Sequence, residues 1–536
     1  MLDLVLTWKR LFPILWLYAL TVLIAHGTRM FIPTFGGDDW HAIVRPDFLY
    51  GLIVAIGRWM NLLVWRLADG NTFGPATGVI VLSLALFFLA QACCRALGIR
   101  RPAIIVAFAA LLVSFPIMAE TFSFKQNHFP NAAGILLATV GGLMTIEAWS
   151  CLGRGAKRGA LLRSVAAVVC VTLSSACSQQ TMHFTVALLL AHLVGLSRQP
   201  EPAPIGSREA RGLLFGLAIL AAGLAVYAVS VPLSQYLLDI PALNGRSGHS
   251  MGAGMVQSPG ELAHGIRNFL TGFGSFLFLS THLFPLPLKL AFYAALAVCL
   301  ALAPHWRERI CLAVCTLLML ALPFALAIVR FEAVFRFTAI IALAVPYAMV
   351  FALMADHLHR RRRGTWAGAA LIGMTLLFCF EQNKASLSTV LLNQRDRAIA
   401  ARILTRLQAA PEFAPFATTG VLPILVVGRL EDRMPPYPFA PDSPDVPPPQ
   451  NYSIDSCGVF NCSIGRLEPL LKLIGEATMR YPVSIWPYRP AEMTDPDLSD
   501  RIAAAPPWPA PGSMIWTANG VVLVLGRTAP SGLPRE

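Results

Sequence analysis

Acidic residues are scarce in this chain: 29 of its 536 residues are Asp or Glu, and charged residues of both signs amount to 13%. Soluble domains carry about 25%. Apolar residues make up 56% and the mean hydropathy is +0.61. A water-soluble globule could not cover that much apolar surface, so that class is excluded. Also missing are a Gly-rich phosphate loop ending in Gly-Lys-Ser/Thr, a His-Glu-x-x-His helix and a four-cysteine zinc pattern. The net charge of +13 is not gathered into one stripe. Nucleic acid is therefore not an expected partner.

What the chain does have is long apolar runs separated by small basic clusters. The first, 11–27, follows Lys9 and Arg10 and is read as a retained helix whose N-terminus is cytoplasmic. Further runs fall at 75–92, 102–119, 131–152, 161–177, 181–196, 213–231, 284–303, 310–329, 337–354 and 365–380. At roughly 20 residues per crossing, they predict a polytopic α-helical membrane protein of about eleven transmembrane helices. Alternate threading puts Arg95/Arg100/Arg101, Arg154/Lys157/Arg158/Arg163, Arg198/Arg208/Arg211, Arg307/Arg309 and Arg360 to Arg363 on the side of Lys9. That is the positive-inside pattern of a bacterial inner (cytoplasmic) membrane protein. The runs 161–177 and 181–196, joined only by Ser178 to Gln180, read as a helical hairpin.

The outer segments are then 32–73, 120–130, 232–283 and 330–336. Within the first, 48–67 alternates apolar stripes with Arg58, Asn61 and Arg66, which predicts an interfacial helix with these polar groups turned to water.

Beyond residue 381 the composition becomes more polar, and no spanning run recurs. Residues 1–381 are read as the transmembrane domain and 382–536 as a small periplasmic α/β domain. Its expected parts are an amphipathic helix at 383–408, a buried strand at 421–427, a Pro-rich loop at 434–449 and a helix at 465–479. Asn519-Gly520 between two apolar segments predicts a type I′ hairpin. Cys457 and Cys462 are the domain's only cysteines, and on the oxidising side they are expected to be bonded. The other cysteines are expected to pack as small hydrophobes.

The stretch richest in chemistry is Gly36-Gly37-Asp38-Asp39-Trp40, just beyond the first run. Two adjacent carboxylates beside anionic headgroups call for a cation or a task. They could hold a divalent ion, or one could take the proton of an attacking sugar hydroxyl while the other binds the acceptor. A helix N-cap is the structural alternative. A lipid-phosphate leaving group would need fixed positive charge near the bilayer surface. Arg58, in Gly57-Arg58-Trp59, is the first choice, followed by Arg330 and Arg336, which flank Glu332, and by Lys125. Trp40, Glu120, His128, Gln179 and Gln180 are candidates for the acceptor or sugar. His183 and His192 read as core residues.

These features, in order, resemble one family. Asp38-Asp39-Trp40, Gly57-Arg58-Trp59, Glu120-Thr-Phe-Ser-Phe, Ser178-Gln179-Gln180 and Asn393-Gln-Arg-Asp-Arg397 leading to Ile424-Leu-Val-Val-Gly428 are similar to features of the Gtr-type, serotype-converting O-antigen glucosyltransferases. These lie within the membrane glycosyltransferases of the C type. The resemblance implies a hexose, glucose above all, carried on polyprenyl phosphate, and lipid-linked O-antigen or another surface glycan as acceptor. It implies an inverting reaction without a cofactor, in which Asp38 or Asp39 is the base, Asp38 by preference. Lys125-Gln126-Asn127 departs from the acidic, aromatic stretch expected there. The competing readings are a lipid-linked sugar transporter or flippase, which should show polar midplanes and related halves, and a non-catalytic assembly partner.

Overall fold

The computed structural model describes residues 12–32, 34, 39, 46–67, 74–199, 207–240, 258–279, 284–325, 328, 337–430, 459–462, 467–475, 478–486 and 497–526. Contacts divide the chain into two compact units. One comprises Met1–Pro33 with Tyr50–Ala385, the other Thr34–Leu49 with Ser386–Glu536. The acid doublet thus groups with the C-terminal segment, and the division falls at Ala385/Ser386 where the sequence suggested 381/382.

The first unit is helical. Its helices are α1 (Leu15–Phe31), most of α2 (Pro46–Ala55), α3 (Met60–Leu67), α4 (Pro75–Ala96), α5 (Pro102–Ser114), α6 (Met118–Thr121), α7 (His128–Gly153), α8 (Lys157–Cys177), α9 (Met182–Ser197), α10 (Ser207–Leu237), α11 (Pro259–Phe278), α12 (Leu286–Leu302), α13 (Trp306–Ala321), α14 (Ala344–Arg360) and the part of α15 (Gly364–Ala409) up to Ala385, the rest of α15 belonging to the second unit. Each predicted run carries a helix. Among the described residues eight helices are long and apolar enough to cross a membrane, while α5 and α12 are shorter apolar helices and α13 has 16 residues. The residues expected to form a separate helix at 383–408 continue α15, which extends for 46 residues because nothing between Met374 and Ala409 is Gly or Pro.

Packing follows side-chain size. Helix α14 is central, with every residue from Ala344 to His357 buried. On α7, Gly134, Gly141 and Gly142 bring α8 and α9 close, as small residues do between membrane helices. Among the described glycines of these helices the tightest approach is at Gly195 of α9, where an added Cβ would lie 1.8 Å from the Ala96 carbonyl oxygen of α4.

The predicted interfacial helix at 48–67 is corrected to two. Gly57 takes φ +87° between α2 and α3, a conformation open to glycine. Its polar groups do not share a wet face either, for Asn61 is buried and Arg58 is half-buried, with only Arg66 exposed.

Four of the basic loops meet in one network around the buried side chains of Arg198, Glu308 and Asp356. Arg198 donates to Asp356 of α14 at 2.5 Å and to the Leu97 carbonyl at 2.8 Å, and pairs with Glu308 of α13 at 3.2 Å. His357 lies 3.2 Å from Glu308, and Arg101 and Arg360 reach Asp356 at 3.9 and 2.9 Å. Helix α14 ends in a Schellman cap, with Arg363 N–H donating to Leu358 O and Arg362 N–H to His359 O, both at 2.9 Å. Arg362 holds the left-handed position at φ +60°. A non-glycine residue there costs about 1–2 kcal/mol.

In the second unit, β1 (Ile424–Val427), β2 (Val483–Ile485), β3 (Met514–Thr517) and β4 (Gly520–Val524) form one sheet in the order β2-β1-β4-β3. Strand β1 runs parallel to β2 and β4, and β3 is antiparallel to β4. Alternation sorts its residues: Ile424 and Val426 pack with Ile403 and Leu407 of α15, while Leu425 packs with Val522 and Leu498 on the other face. Two expectations are corrected. The helix predicted at 465–479 covers only Leu467–Ile474 and stops at Gly475. The hairpin is present, but Thr517 pairs with Gly520, so Ala518 and Asn519 form the loop. Neither has the positive φ that a type I′ turn requires. The loop 434–449 and Cys457 lie outside the described residues, as does the side chain of Cys462.

Replacing Gly195 by Ala sets a Cβ against backbone that cannot step aside. A destabilisation of about 1–3 kcal/mol, read as a lowered thermal midpoint of the detergent-purified protein, is expected. An unchanged midpoint would contradict the close approach of α9 and α4.

Candidate functional site

At the end of α5 remote from Arg101 the chain turns irregular, through α6 and the tight turn Lys125–Asn127, before α7 begins. Alongside α6 lies the segment Phe337–Leu343, which also meets Gln179–Thr181 at the tip of the α8–α9 hairpin. Three stretches singled out in the sequence are thereby gathered: the Glu120 segment, the Gln179-Gln180 tip and the residues after Arg336.

Non-helical backbone inside an apolar bundle must have its carbonyls satisfied by protein. Four carbonyls in and beside this stretch accept from side chains. Trp65 Nε1 donates to Gln126 O at 2.8 Å, and Gln382 Nε2 of α15 donates to Phe115 O at 2.6 Å. His26 Nε2 donates to Val113 O at 2.9 Å, and His128 Nε2 donates to Phe122 O at 3.1 Å. A carbonyl only accepts, so each imidazole carries its proton on Nε2. His26 also stacks on Phe122 with ring centroids 3.8 Å apart.

The same groups fix a cation. Arg29, 3% exposed at the end of α1, donates from Nη1 to Gln382 Oε1 at 3.0 Å and lies 3.3 Å from Nδ1 of His26. Lys125 is buried too, and both cations lie within electrostatic reach of His128. A guanidinium and an ammonium held in low dielectric attract anionic oxygens more strongly than they would in water.

A second cluster closes the elbow between α2 and α3. Gln179 Nε2 donates to Ile56 O and to Tyr227 Oη, both at 2.8 Å, while its Oε1 accepts from Arg58 Nε at 3.2 Å. Tyr227 Oη donates to Gly57 O at 3.2 Å, Trp59 Nε1 donates to Ser230 Oγ at 3.0 Å, and Gln235 Nε2 of α10 donates to Ala55 O at 3.1 Å. The amide of Gln179 is therefore committed to protein groups.

Among the other candidates, Gln180 is half-buried at the hairpin tip. Glu120 lies in α6 with its side chain outside the described residues. Asp39 is 1% exposed within the second unit, while Asp38, Trp40, Arg330 and Arg336 are outside the described residues. Among the described residues no cluster of three or more His, Cys, Asp or Glu side chains is arranged to hold a metal ion. Asp396, in the stretch 393–397, is buried and accepts from Val459 N–H at 2.6 Å. His26, Trp65, Tyr227 and Gln382 were not expected at these sites. The usable signal was a polar side chain within or beside an apolar run, which is costly enough to imply a task.

Gln179→Leu keeps the volume but removes an acceptor of Arg58 and the donor group that serves Ile56 O and Tyr227 Oη. A loss of about 2–4 kcal/mol is expected, measured by thermal or denaturant unfolding in detergent. A variant as stable as the wild type would mean that the elbow does not depend on this amide.

Neither curated proteins nor solved structures gave a match. The glucosyl transferase GtrII family model matches residues 27–355. That stretch takes in the Asp38-Asp39 doublet, the Glu120 segment and the hairpin tip, and stops before α15 and the sheet. It covers more than half of the 536 residues, and the chain accordingly belongs to the GtrII glucosyl transferase family.

Proposed function

We propose that this membrane glycosyltransferase moves glucose from a polyprenyl-phosphate carrier to a surface glycan, such as lipid-linked O-antigen, at the periplasmic face of the inner membrane. An acceptor hydroxyl attacks the anomeric carbon. Its proton goes to a carboxylate of the Asp38-Asp39 doublet. The bond from the anomeric carbon to the phosphate oxygen breaks, and the carrier leaves as its phosphate with the electron pair, inverting the sugar.

The observation that carries this reading is the family match over residues 27–355 in a unit built of membrane-length helices. A glucosyl transferase with such a body is suited to a donor that is itself a lipid. The doublet lies inside the matched stretch, just past the end of α1. The closed environment of Asp39 supports giving it a positioning role and giving the proton to Asp38. The charge that develops on the leaving phosphate needs fixed cations. Lys125 and Arg58 are assigned that task with Arg330 and Arg336, and Arg29, held by His26 and Gln382, joins them. Trp40, Glu120, His128 and Gln180 are left to the acceptor and the sugar.

The test is transfer from radiolabelled polyprenyl-phosphate glucose by the purified protein. Asp38→Asn is expected to lower kcat by about 10²–10⁴-fold, and Asp39→Asn to act more on KM. Full transfer by both variants would remove the doublet from the chemistry. Equal transfer from a soluble nucleotide sugar would remove the lipid carrier.

A further inference from the structure

Two helix turns stand together at the Arg198 end of the helical unit, the one joining α12 to α13 and the one joining α14 to α15. Arg361 Nη2 donates to Leu302 O at 3.4 Å. Arg309 donates to Ala303 O through Nε at 3.1 Å and Nη2 at 3.0 Å. Beneath them Arg198 bridges Glu308 of α13 and Asp356 of α14, which fixes one turn against the other.

That network consumes the acids of the region. Arg309, Arg361, Arg362 and Arg363 are exposed, and no described carboxylate lies within 4.0 Å of them. Arg362 occupies the left-handed cap position although Gly364 lies two residues further on. An arginine kept where glycine would be relaxed implies that its charge is wanted there. Beside the guanidiniums stand two exposed indoles: Trp306, 64% exposed, opens α13, and Trp366, 75% exposed, lies in the first turn of α15. The Arg307 guanidinium lies 5.8 Å over the Trp306 ring. Exposed tryptophans at the ends of membrane helices sit at headgroup level. Along α13, Ile310, Val314 and Leu317 continue from Trp306 as an exposed apolar stripe at helical spacing.

We propose that the surface where these turns meet binds an anionic phospholipid, its phosphate on Arg309, Arg361, Arg362 and Arg363 and its chains along α13. The occupant is amphipathic because the surface is: guanidiniums, then indoles, then an aliphatic stripe. A soluble anion would use only the first.

The experiment uses the full chain purified in a neutral detergent, with native mass spectrometry and thermal unfolding against phosphatidylglycerol, phosphatidylcholine and inorganic phosphate. Phosphatidylglycerol is expected to bind and to raise the midpoint, and the other two to leave it unchanged. Combining Arg309→Gln, Arg361→Gln, Arg362→Gly and Arg363→Gln should weaken that binding roughly fivefold per arginine removed. Should the combined variant fail to fold, Arg362→Gly alone carries the test. Relieved of strain, it is expected to melt higher without lipid while binding phosphatidylglycerol more weakly. Unaltered phosphatidylglycerol binding in either variant, an equal response to phosphatidylcholine, or a full response to phosphate alone would overturn the proposal.

Discussion

Arg198 pins the helical unit. Its guanidinium reaches Asp356 of α14, Glu308 of α13 and the carbonyl that ends α4, and so joins helices distant in sequence. Placing charges in a poorly solvated interior costs several kcal/mol per ion. The cost is offset only when opposite charges lie close, as the contacts of Arg198 to both carboxylates at 2.5 and 3.2 Å provide. Because α14 is buried along its length, fixing its last turn fixes the axis around which the other helices pack.

From that pin the helices reach a second polar layer. Helix α5 begins at Arg101, in the network, and ends at the Val113 and Phe115 carbonyls held by His26 and Gln382. At 1.5 Å per residue the two layers are about 20 Å apart. The first layer is ionic and the second is mostly amide, imidazole and carbonyl, with Arg29 and Lys125 set within it. Irregular backbone there is stable because side chains from α1, α3, α7 and α15 answer its carbonyls. Such a layer can hold a charge in a fixed orientation, as a glucosyl transferase with a phosphate leaving group would require.

Much of this was legible in the chain. Each apolar run became a helix because length and hydropathy are local properties, and the basic clusters between runs announced the loops that Arg198 gathers. The strand at Ile424–Val427 and the hairpin near Asn519 were readable from alternation and turn residues. The roles of polar residues were less so. Arg58 and Asn61 looked like one wet face of one helix, yet Gly57 turns the chain just before them, which leaves Arg58 in the bend and Asn61 in α3, and α10 supplies groups that hold the bend. Gln179, read from the sequence as a candidate sugar ligand, places its amide in that elbow.

Sequence by itself determined the class: a membrane-embedded helical body, a smaller α/β part, and a set of motifs resembling those of a glucosyltransferase family. Those features depend on composition and short-range periodicity, which each segment carries alone. Tertiary structure decided the partners of the buried polar groups, such as the hydrogen bond from Arg29 to Gln382, 353 residues away. It also grouped Thr34–Leu49 with the C-terminal unit. The reason is physical: a buried donor or acceptor must be satisfied by whatever the fold brings within 3 Å or so, and no local pattern specifies which distant residue that is.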